Sequence, residues 1–434
     1  MSARAAIVVT GTEVLTGRVR DRNGPWLSDR LRELGVDLAQ IAIVGDRPED
    51  MLAALESART LGVDVVITSG GLGPTADDLT AAVVGEFCER EMVLDEALEQ
   101  RIAAIIGPLL SRWPGLDADA IAESNRKQAV VPDGACVLEP VGTAPGLVVA
   151  PQRAGKGPVV VVLPGPPREL QPMWRDAAGQ EAFLAAIAGA GSYEQRMLRL
   201  FGIPESEIAA TLRFAAESGV ALESMEITTC LRRGEVEIVT RYEPSASAQY
   251  AAFVQVVRAR HADTLFSDDG SSVDQQVARA LRSTGTTVAV AESCTGGLLS
   301  ARLTELAGSS EYFAGGVVAY SNAIKVAAAG VPSEVLDRFG AVSVETARSL
   351  AAGVRQGLTA SFGIGVTGVA GPGGGTEERP VGRVCFSICG PDGGALTRQL
   401  DLPGARADVR DRSTTVALHL LRRYVVLGER DSPA

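Results

Sequence analysis

A serine and a lysine 32 positions apart (325 − 293 = 32) carry the most accessible chemistry in this chain. Ser293 lies in Ala291-Glu292-Ser293-Cys294-Thr295-Gly296-Gly297. Before it, Thr287-Val288-Ala289-Val290-Ala291 is apolar and partly β-branched, which predicts a buried strand. After it, two glycines permit a tight turn, and Leu298-Leu299-Ser300-Ala301-Arg302-Leu303 has the apolar spacing of a helix. Ser293 is therefore expected where a strand turns into a helix. The N–H groups of Thr295, Gly296 and Gly297 are expected to face an approaching group, giving a nucleophile beside an oxyanion site.

A serine hydroxyl needs a base. The two histidines, His261 and His419, lie in no motif, which disfavours a Ser-His-Asp arrangement. Of 41 Lys+Arg residues only Lys127, Lys156 and Lys325 are lysines. Arginine cannot deprotonate, whereas a buried lysine can, so Lys325 is the candidate base. Lys156 lies in a Gly-rich stretch and reads as solvated. Tyr320 follows Ser293 by 27 positions (320 − 293 = 27) and could relay the proton. Serine is also common as a helix N-cap; the company of Tyr320 and Lys325 favours catalysis. Cys294 is a rival nucleophile, although an adjacent side chain should point elsewhere.

This stretch resembles the nicotinamide-nucleotide amidase domain that ends proteins of the CinA (competence/damage-inducible) family. The resemblance extends over Ala307-Gly308-Ser309-Ser310, Gly316 to Asn322, Gly340-Ala341-Val342-Ser343, Val366 to Pro372 and Pro380-Val381-Gly382. It implies hydrolysis of the carboxamide of nicotinamide mononucleotide to the acid and ammonia, without a cofactor. Ser293, Tyr320 and Lys325 would form the catalytic set. Thr295, Gly296, Gly297, Asn322, Thr367, Gly368 and Gly371 would contact substrate. Arg410 would hold the nucleotide phosphate, from a tail (Arg406, Arg410, Arg412) that enters a last helix over 413–426.

The elements that position such residues repeat in the first part of the chain. Strand-like 5–10, helical 23–34, strand-like 38–44, helical 48–61 and strand-like 64–68 predict a mainly parallel sheet covered on both faces. Ligands of such a sheet bind beyond the carboxyl ends of its strands. Ser69-Gly70-Gly71-Leu72-Gly73-Pro74-Thr75-Ala76-Asp77-Asp78 is a Gly-rich loop whose amides can approach a phosphate, with two carboxylates for a divalent cation. Thr75-x-x-Asp78 also fits a helix capping box.

With Gly11-Thr12-Glu13, Asp21-x-Asn23, Val141-Gly142-Thr143-Ala144-Pro145-Gly146 and Pro164-Gly165-Pro166-Pro167-x-Glu169, the loop resembles the molybdopterin-binding-like domain that begins CinA proteins. That implies a metal-dependent ADP-ribose pyrophosphatase using Mg, Mn or Co. Glu13, Asp77, Asp78 and Glu169 are the acidic candidates. Gly11, Thr12, Asn23, Ser69, Gly70, Gly71, Gly73, Thr75, Lys127, Gly142, Thr143 and Gly165 are the candidate nucleotide contacts. Glu139 departs from the uncharged residue expected before Pro140.

At 434 residues the chain needs several cores. The expected fold class is α/β: two α/β domains with mainly parallel sheets (1–170 and 272–430) joined by a small α+β middle domain (171–265). The middle domain resembles the KH-like unit of full-length relatives. It lacks a Gly-x-x-Gly clamp, which makes RNA a poor ligand and a spacer or dimer element the better reading. Residues 268–272 read as a linker. A net charge of −12 argues against a nucleic-acid surface, and no apolar run is long enough to span a membrane. Six cysteines without a Cys-x-x-Cys pair fit a reduced cytoplasm. The expected partners are nicotinamide mononucleotide, ADP-ribose and a second copy in a homodimer. A nucleotide- or pterin-binding module without turnover, or an accessory role in DNA uptake or repair, are the competing readings.

Overall fold

The structure, a computed structural model, describes residues 2–110, 117–153 and 157–431, and Lys156 lies outside them. The chain divides into two compact units, Met1–Tyr193 and Glu194–Ala434.

In the first unit the strands are β1 (Arg4–Thr10), β2 (Asp37–Val44), β3 (Val65–Ser69), β4 (Met92–Leu94), β5 (Val130–Pro132), β6 (Cys136–Leu138), β7 (Gly146–Val149) and β8 (Val159–Leu163). Six of them form a sheet in the order β2-β1-β3-β8-β7-β6. The pairings from β2 to β8 are parallel, and β7 and β6 close the edge antiparallel. Buried runs in β1 and β3, rather than alternation, reflect cover on both faces. One face packs Leu27, Leu31, Leu170, Met173 and Trp174. The other packs Met51, Leu55, Val83, Val84 and Phe87.

The boundary expected at 170 falls inside helix Pro167–Ala178, whose Leu170, Met173, Trp174 and Ala177 are buried in this core. The turn expected at 11–13 is the start of a short helix, Thr12–Leu15.

In the second unit, β9 (Glu194–Phe201), β10 (Met225–Arg232), β11 (Glu235–Tyr242) and β12 (Leu265–Ser267) form an antiparallel sheet ordered β10-β11-β9-β12. Helices Glu205–Glu217 and Ser247–Arg260 supply Ile208, Ala215, Phe253 and Val257 to its core. Positive φ at Arg233 (53°) and Gly234 (86°) makes the two-residue hairpin turn that matches strand twist. The stretch read as a linker is tied down instead. Asp269 accepts bonds from the Ser267 and Ser271 hydroxyls and the Ser271 amide, and Ser272 caps helix Val273–Thr284.

The last sheet contains β13 (Val288–Glu292), β14 (Phe313–Val318), β15 (Phe362–Gly368), β16 (Arg383–Cys389) and β17 (Ala395–Asp401), ordered β14-β13-β15-β16-β17. Its β14, β13 and β15 pairings are parallel. β16 and β17 add antiparallel, because a loop and a hairpin deliver them without crossover helices. The final helix runs over Arg406–Val426, seven residues longer than expected at its start; the Asp408 carboxylate accepts the Ala405 N–H at 2.8 Å and fixes that start.

β15 lies against helix Val344–Gly357, and Gly365 permits the approach. A Cβ built there would overlap the Ala347 carbonyl and come within 2.7 Å of the Ala351 amide. Gly365→Ala should cost about 2 kcal/mol, since backbone on a packed helix cannot give way. Denaturant unfolding checks it, and an unchanged midpoint would contradict the contact.

Candidate active site

β13 ends at Glu292, and the Ser293 amide still bonds the Val366 carbonyl of β15 at 2.9 Å. The chain then turns through Gly296 (φ 59°) and Gly297 (φ 97°) into helix Leu298–Leu303, whose N-cap is Gly297. Ser293 is therefore not a helix cap.

Lys325 comes from helix Asn322–Ala327, which Ser321 caps by accepting the Ile324 amide. It is the buried residue of that helix, only 2% exposed, and its Nζ lies 3.1 Å from Ser293 Oγ and 2.9 Å from the Ala319 carbonyl. Burial lowers the lysine pKa from its ordinary value, and the weaker opposing influence comes from Cys294. A neutral amine there can donate to Ala319 and accept the Ser293 proton.

Two of the three amides expected to serve as donors, those of Gly296 and Gly297, are taken up within the chain. The Gly296 amide bonds the Ser293 carbonyl at 3.1 Å. Glu292, fully buried, takes the Gly297 amide with one carboxylate oxygen and the Ser300 amide and hydroxyl with the other, and it also takes the Leu299 amide. Thr295 is fully buried, and its hydroxyl has no partner among the described residues. The helix N-terminus thus already holds an anion from its own chain. Glu292 carried no expectation of its own; its signal is a carboxylate at the last strand position before a Gly-Gly turn.

The remaining candidates divide. Tyr320 is 59% exposed and its hydroxyl accepts from Arg406 at 3.0 Å, while Lys325 meets Ser293 directly. Arg410 bonds the carbonyls of Cys294 (3.1 Å) and Thr295 (2.9 Å); its guanidinium braces the turn from the final helix. Arg406, one turn earlier, also donates to the Gly371 carbonyl at 2.7 Å. Thr367 donates to the Ala341 carbonyl at 2.6 Å, and Gly368 sits tightly against β16. Asn322 is exposed at the start of the lysine helix. Cys294 is buried and its thiol is pushed up to about 12, chiefly by desolvation, which removes it as a nucleophile.

In the first unit a cavity of 340 Å³ lies at the carboxyl ends of β1, β3 and β8. It is lined by Thr10, Glu13, Asp21, Asn23, Ser69 and Gly165, of which Thr10 was not expected. Asn23 Nδ2 bonds Ser69 Oγ (2.8 Å) and the Gly165 carbonyl (2.6 Å). Its buried Oδ1 has no partner among the described residues.

Gly70 packs on Thr10, Gly71 on Thr80, and Thr12 bonds Asp46. Asp77 and Asp78 instead gather around the Thr75 hydroxyl, whose bond holds the Asp77 carboxyl below its ordinary range. Lys127 donates to the Thr75 carbonyl, and Gly73 abuts Asp78. The expected capping box at Thr75 is absent because the next helix starts at Thr80. Glu13 lies over Gly11 and Glu169 over Gly142, with Thr143 beside it half-buried. Among the described residues no three His, Cys, Asp or Glu side chains converge, so these four acids do not fit a shared metal. Glu139 pairs with Arg101 at 3.1 Å.

Comparison with known proteins follows the same division. The CinA C-terminal domain matches residues 270–425, and a probable molybdopterin binding domain matches residues 6–182. A CinA-like protein from Mycolicibacterium vanbaalenii is 58% identical over 428 residues, covering 99% of this chain and 100% of its own length. One from Mycobacterium tuberculosis is 55% identical over 426 residues, 98% of this chain and 97% of its own. A solved competence/damage inducible protein CihA from Agrobacterium tumefaciens is 38% identical over 34% of this chain and 93% of its own, with a TM-score of 0.33. This chain belongs to the CinA family.

Glu292→Gln replaces an acceptor-only group with one that presents an NH₂ to backbone donors. Stability should fall by about 2 kcal/mol, because at least one buried amide loses its partner. Chemical denaturation measures it; wild-type stability would mean the carboxylate is not what secures the turn.

Proposed function

We propose that this chain is an amidohydrolase that converts nicotinamide mononucleotide to the nicotinate nucleotide and ammonia. The observation that carries the reading is the buried Lys325 amine 3.1 Å from the Ser293 hydroxyl. Neutral Lys325 takes the Ser293 proton as Oγ attacks the carboxamide carbon. The substrate's pyridinium charge makes that carbon more electrophilic. With the Gly296 and Gly297 amides committed elsewhere, the charge on the carbonyl oxygen forms beside a lysine that has just become cationic in a dry site. Lys325 then gives its proton to the departing ammonia, and water releases the acid from the serine ester.

For the first unit we propose nucleotide binding at the 340 Å³ cavity, where the buried Asn23 Oδ1 still lacks a donor. The acids present do not gather around one metal, so no hydrolytic step is drawn there. AMP release from ADP-ribose that depends on Mg, Mn or Co and stops with chelator would restore the pyrophosphatase reading. No helix among the described residues is long and apolar enough to cross a membrane.

Ser293→Ala and Lys325→Arg should each reduce ammonia release from nicotinamide mononucleotide by about 10³-fold or more, the second because a guanidinium stays charged. Cys294→Ala should keep most activity. Because burial lowers the Lys325 pKa, kcat should rise with pH as the amine loses its proton and level off above its titration, below the ordinary lysine range. Full activity in the serine variant would defeat the assignment.

A further inference from the structure

Two helices cover one face of the six-stranded sheet without closing over it. Helix Asn23–Glu33 packs on β1 and β2, and helix Pro167–Ala178 packs on β6, β7 and β8. In the sheet order β3 lies between those strands. The seam between the two helices is a cavity of 680 Å³, and it shares no lining residue with the 340 Å³ cavity.

Each wall of the seam is one face of a helix. Trp26, Arg30 and Glu33 follow the spacing i, i+4, i+7 on one side, and Arg168, Gln171 and Arg175 the spacing i, i+3, i+7 on the other. Trp174, 5% exposed and packed in the core beneath, forms the floor. Three guanidiniums and one carboxylate therefore line this groove, in a chain whose net charge is −12.

The cations are incompletely matched from within the chain. Arg30 reaches Glu33 at 2.5 Å, and its guanidinium carbon lies 5.4 Å from the centre of the Trp26 ring. Its Nε–H is nevertheless buried with no acceptor among the described residues. Arg168 is 3.7 Å from Glu169 and 86% exposed, a weak pair. Gln171 and Arg175, one turn apart, have no hydrogen-bond or ion-pair partner among the described residues. A buried donor without an acceptor is costly, and an oxyanion in the groove would supply one.

The flat groups set the rest of the ligand. An indole and a guanidinium each offer a planar face to an aromatic ring. The volume lies within the range of small-molecule sites. A docked peptide helix would need a track of apolar anchors, whereas Leu34, 38% exposed, is the one large aliphatic side chain lining the groove.

We propose that this groove binds a planar aromatic anion of nucleotide size, with its ring against Trp26 and its phosphate or carboxylate on Arg30 and Arg175. The site stands apart from the amide chemistry and from the 340 Å³ cavity, and depends on neither.

The probes are AMP, adenosine and inorganic phosphate, each titrated into the full-length protein and followed by tryptophan fluorescence. AMP should change the emission and bind more tightly than adenosine or phosphate, each of which carries only half of the recognised chemistry. Arg175 is exposed and lies eight residues (175 − 167 = 8), or about two turns, beyond Pro167, which lines the other cavity. Arg175→Glu should therefore leave the unfolding midpoint unchanged and weaken the AMP-dependent emission change by about tenfold or more. Gln171→Glu, on the same wall, should weaken it in the same direction. Asn23→Ala, in the 340 Å³ cavity, should leave it in place. An emission that ignores AMP, or a change that survives both Arg175→Glu and Gln171→Glu, would overturn the proposal. So would a change abolished by Asn23→Ala in a chain that still folds, since the signal would then belong to the other cavity. A glutamate-rich peptide that binds through Arg175 where AMP does not would overturn the choice of ligand.

Discussion

A buried lysine with no carboxylate partner among the described residues is the constraint on which the candidate active site depends. Lys325 is buried to 2% exposure, and its polar contacts are one hydroxyl and one carbonyl. Neither neutralises an ammonium, and desolvation disfavours the charged form. The fold therefore holds an amine that sheds its proton readily beside Ser293. Arginine occupies most other cationic positions, and an arginine here would remain charged without a partner. In the proposed reaction this amine is the group that receives the Ser293 proton.

Around that contact the turn is rigid rather than open. Glu292 secures its amides from the strand side, and Arg410 secures two carbonyls from the final helix. The carboxylate occupies the position that a substrate anion would take at a free helix end. Helix Leu298–Leu303 is only six residues long, and a buried acid with four donors is what allows so short a helix to end beside a strand without orphaned amides.

How much of this was legible depended on range. Ser293 at a strand end, the Gly-Gly turn and Lys325 as the cation able to lose its proton follow from residue type and near spacing, and the same holds for the parallel core of the first unit. Orientation was not legible. Whether the Gly297 amide faces substrate or Glu292 depends on a χ angle five residues away. Tyr320 was grouped with Ser293 by spacing, yet Arg406, 86 residues later, bonds its hydroxyl. The four acids of the first unit share a sign but not a place: Asp77 and Asp78 meet at the Thr75 hydroxyl, whereas Glu13 lies over Gly11 and Glu169 over Gly142. The early start of the last helix was hidden because its first turns are mostly polar, with Val409 the one buried residue over 406–412, so they lack apolar periodicity.

The two histidines excluded from catalysis have structural roles, and His419 joins the four-stranded sheet to the final helix. His261 is buried against the Thr211 hydroxyl at 2.7 Å. His419 lies on the final helix, stacks on Phe201 of β9 with centroids 3.8 Å apart, and meets Glu235 of β11 at 2.7 Å. Burial lowers its pKa, and the opposing effect of Glu235 is the smaller, so the ring is held neutral and pairs with the carboxylate as a hydrogen-bond donor. Arg199, bonded to Glu237 at 2.5 Å and 3.6 Å from Glu235, balances the acids that β11 turns toward this helix. The same helix places Arg410 on the nucleophile turn and Arg406 on Tyr320 and Gly371. One 21-residue helix is therefore anchored in the four-stranded sheet at one end and frames the Ser293 turn at the other, so displacement of that sheet would be felt at the turn through a rigid element rather than through a flexible linker.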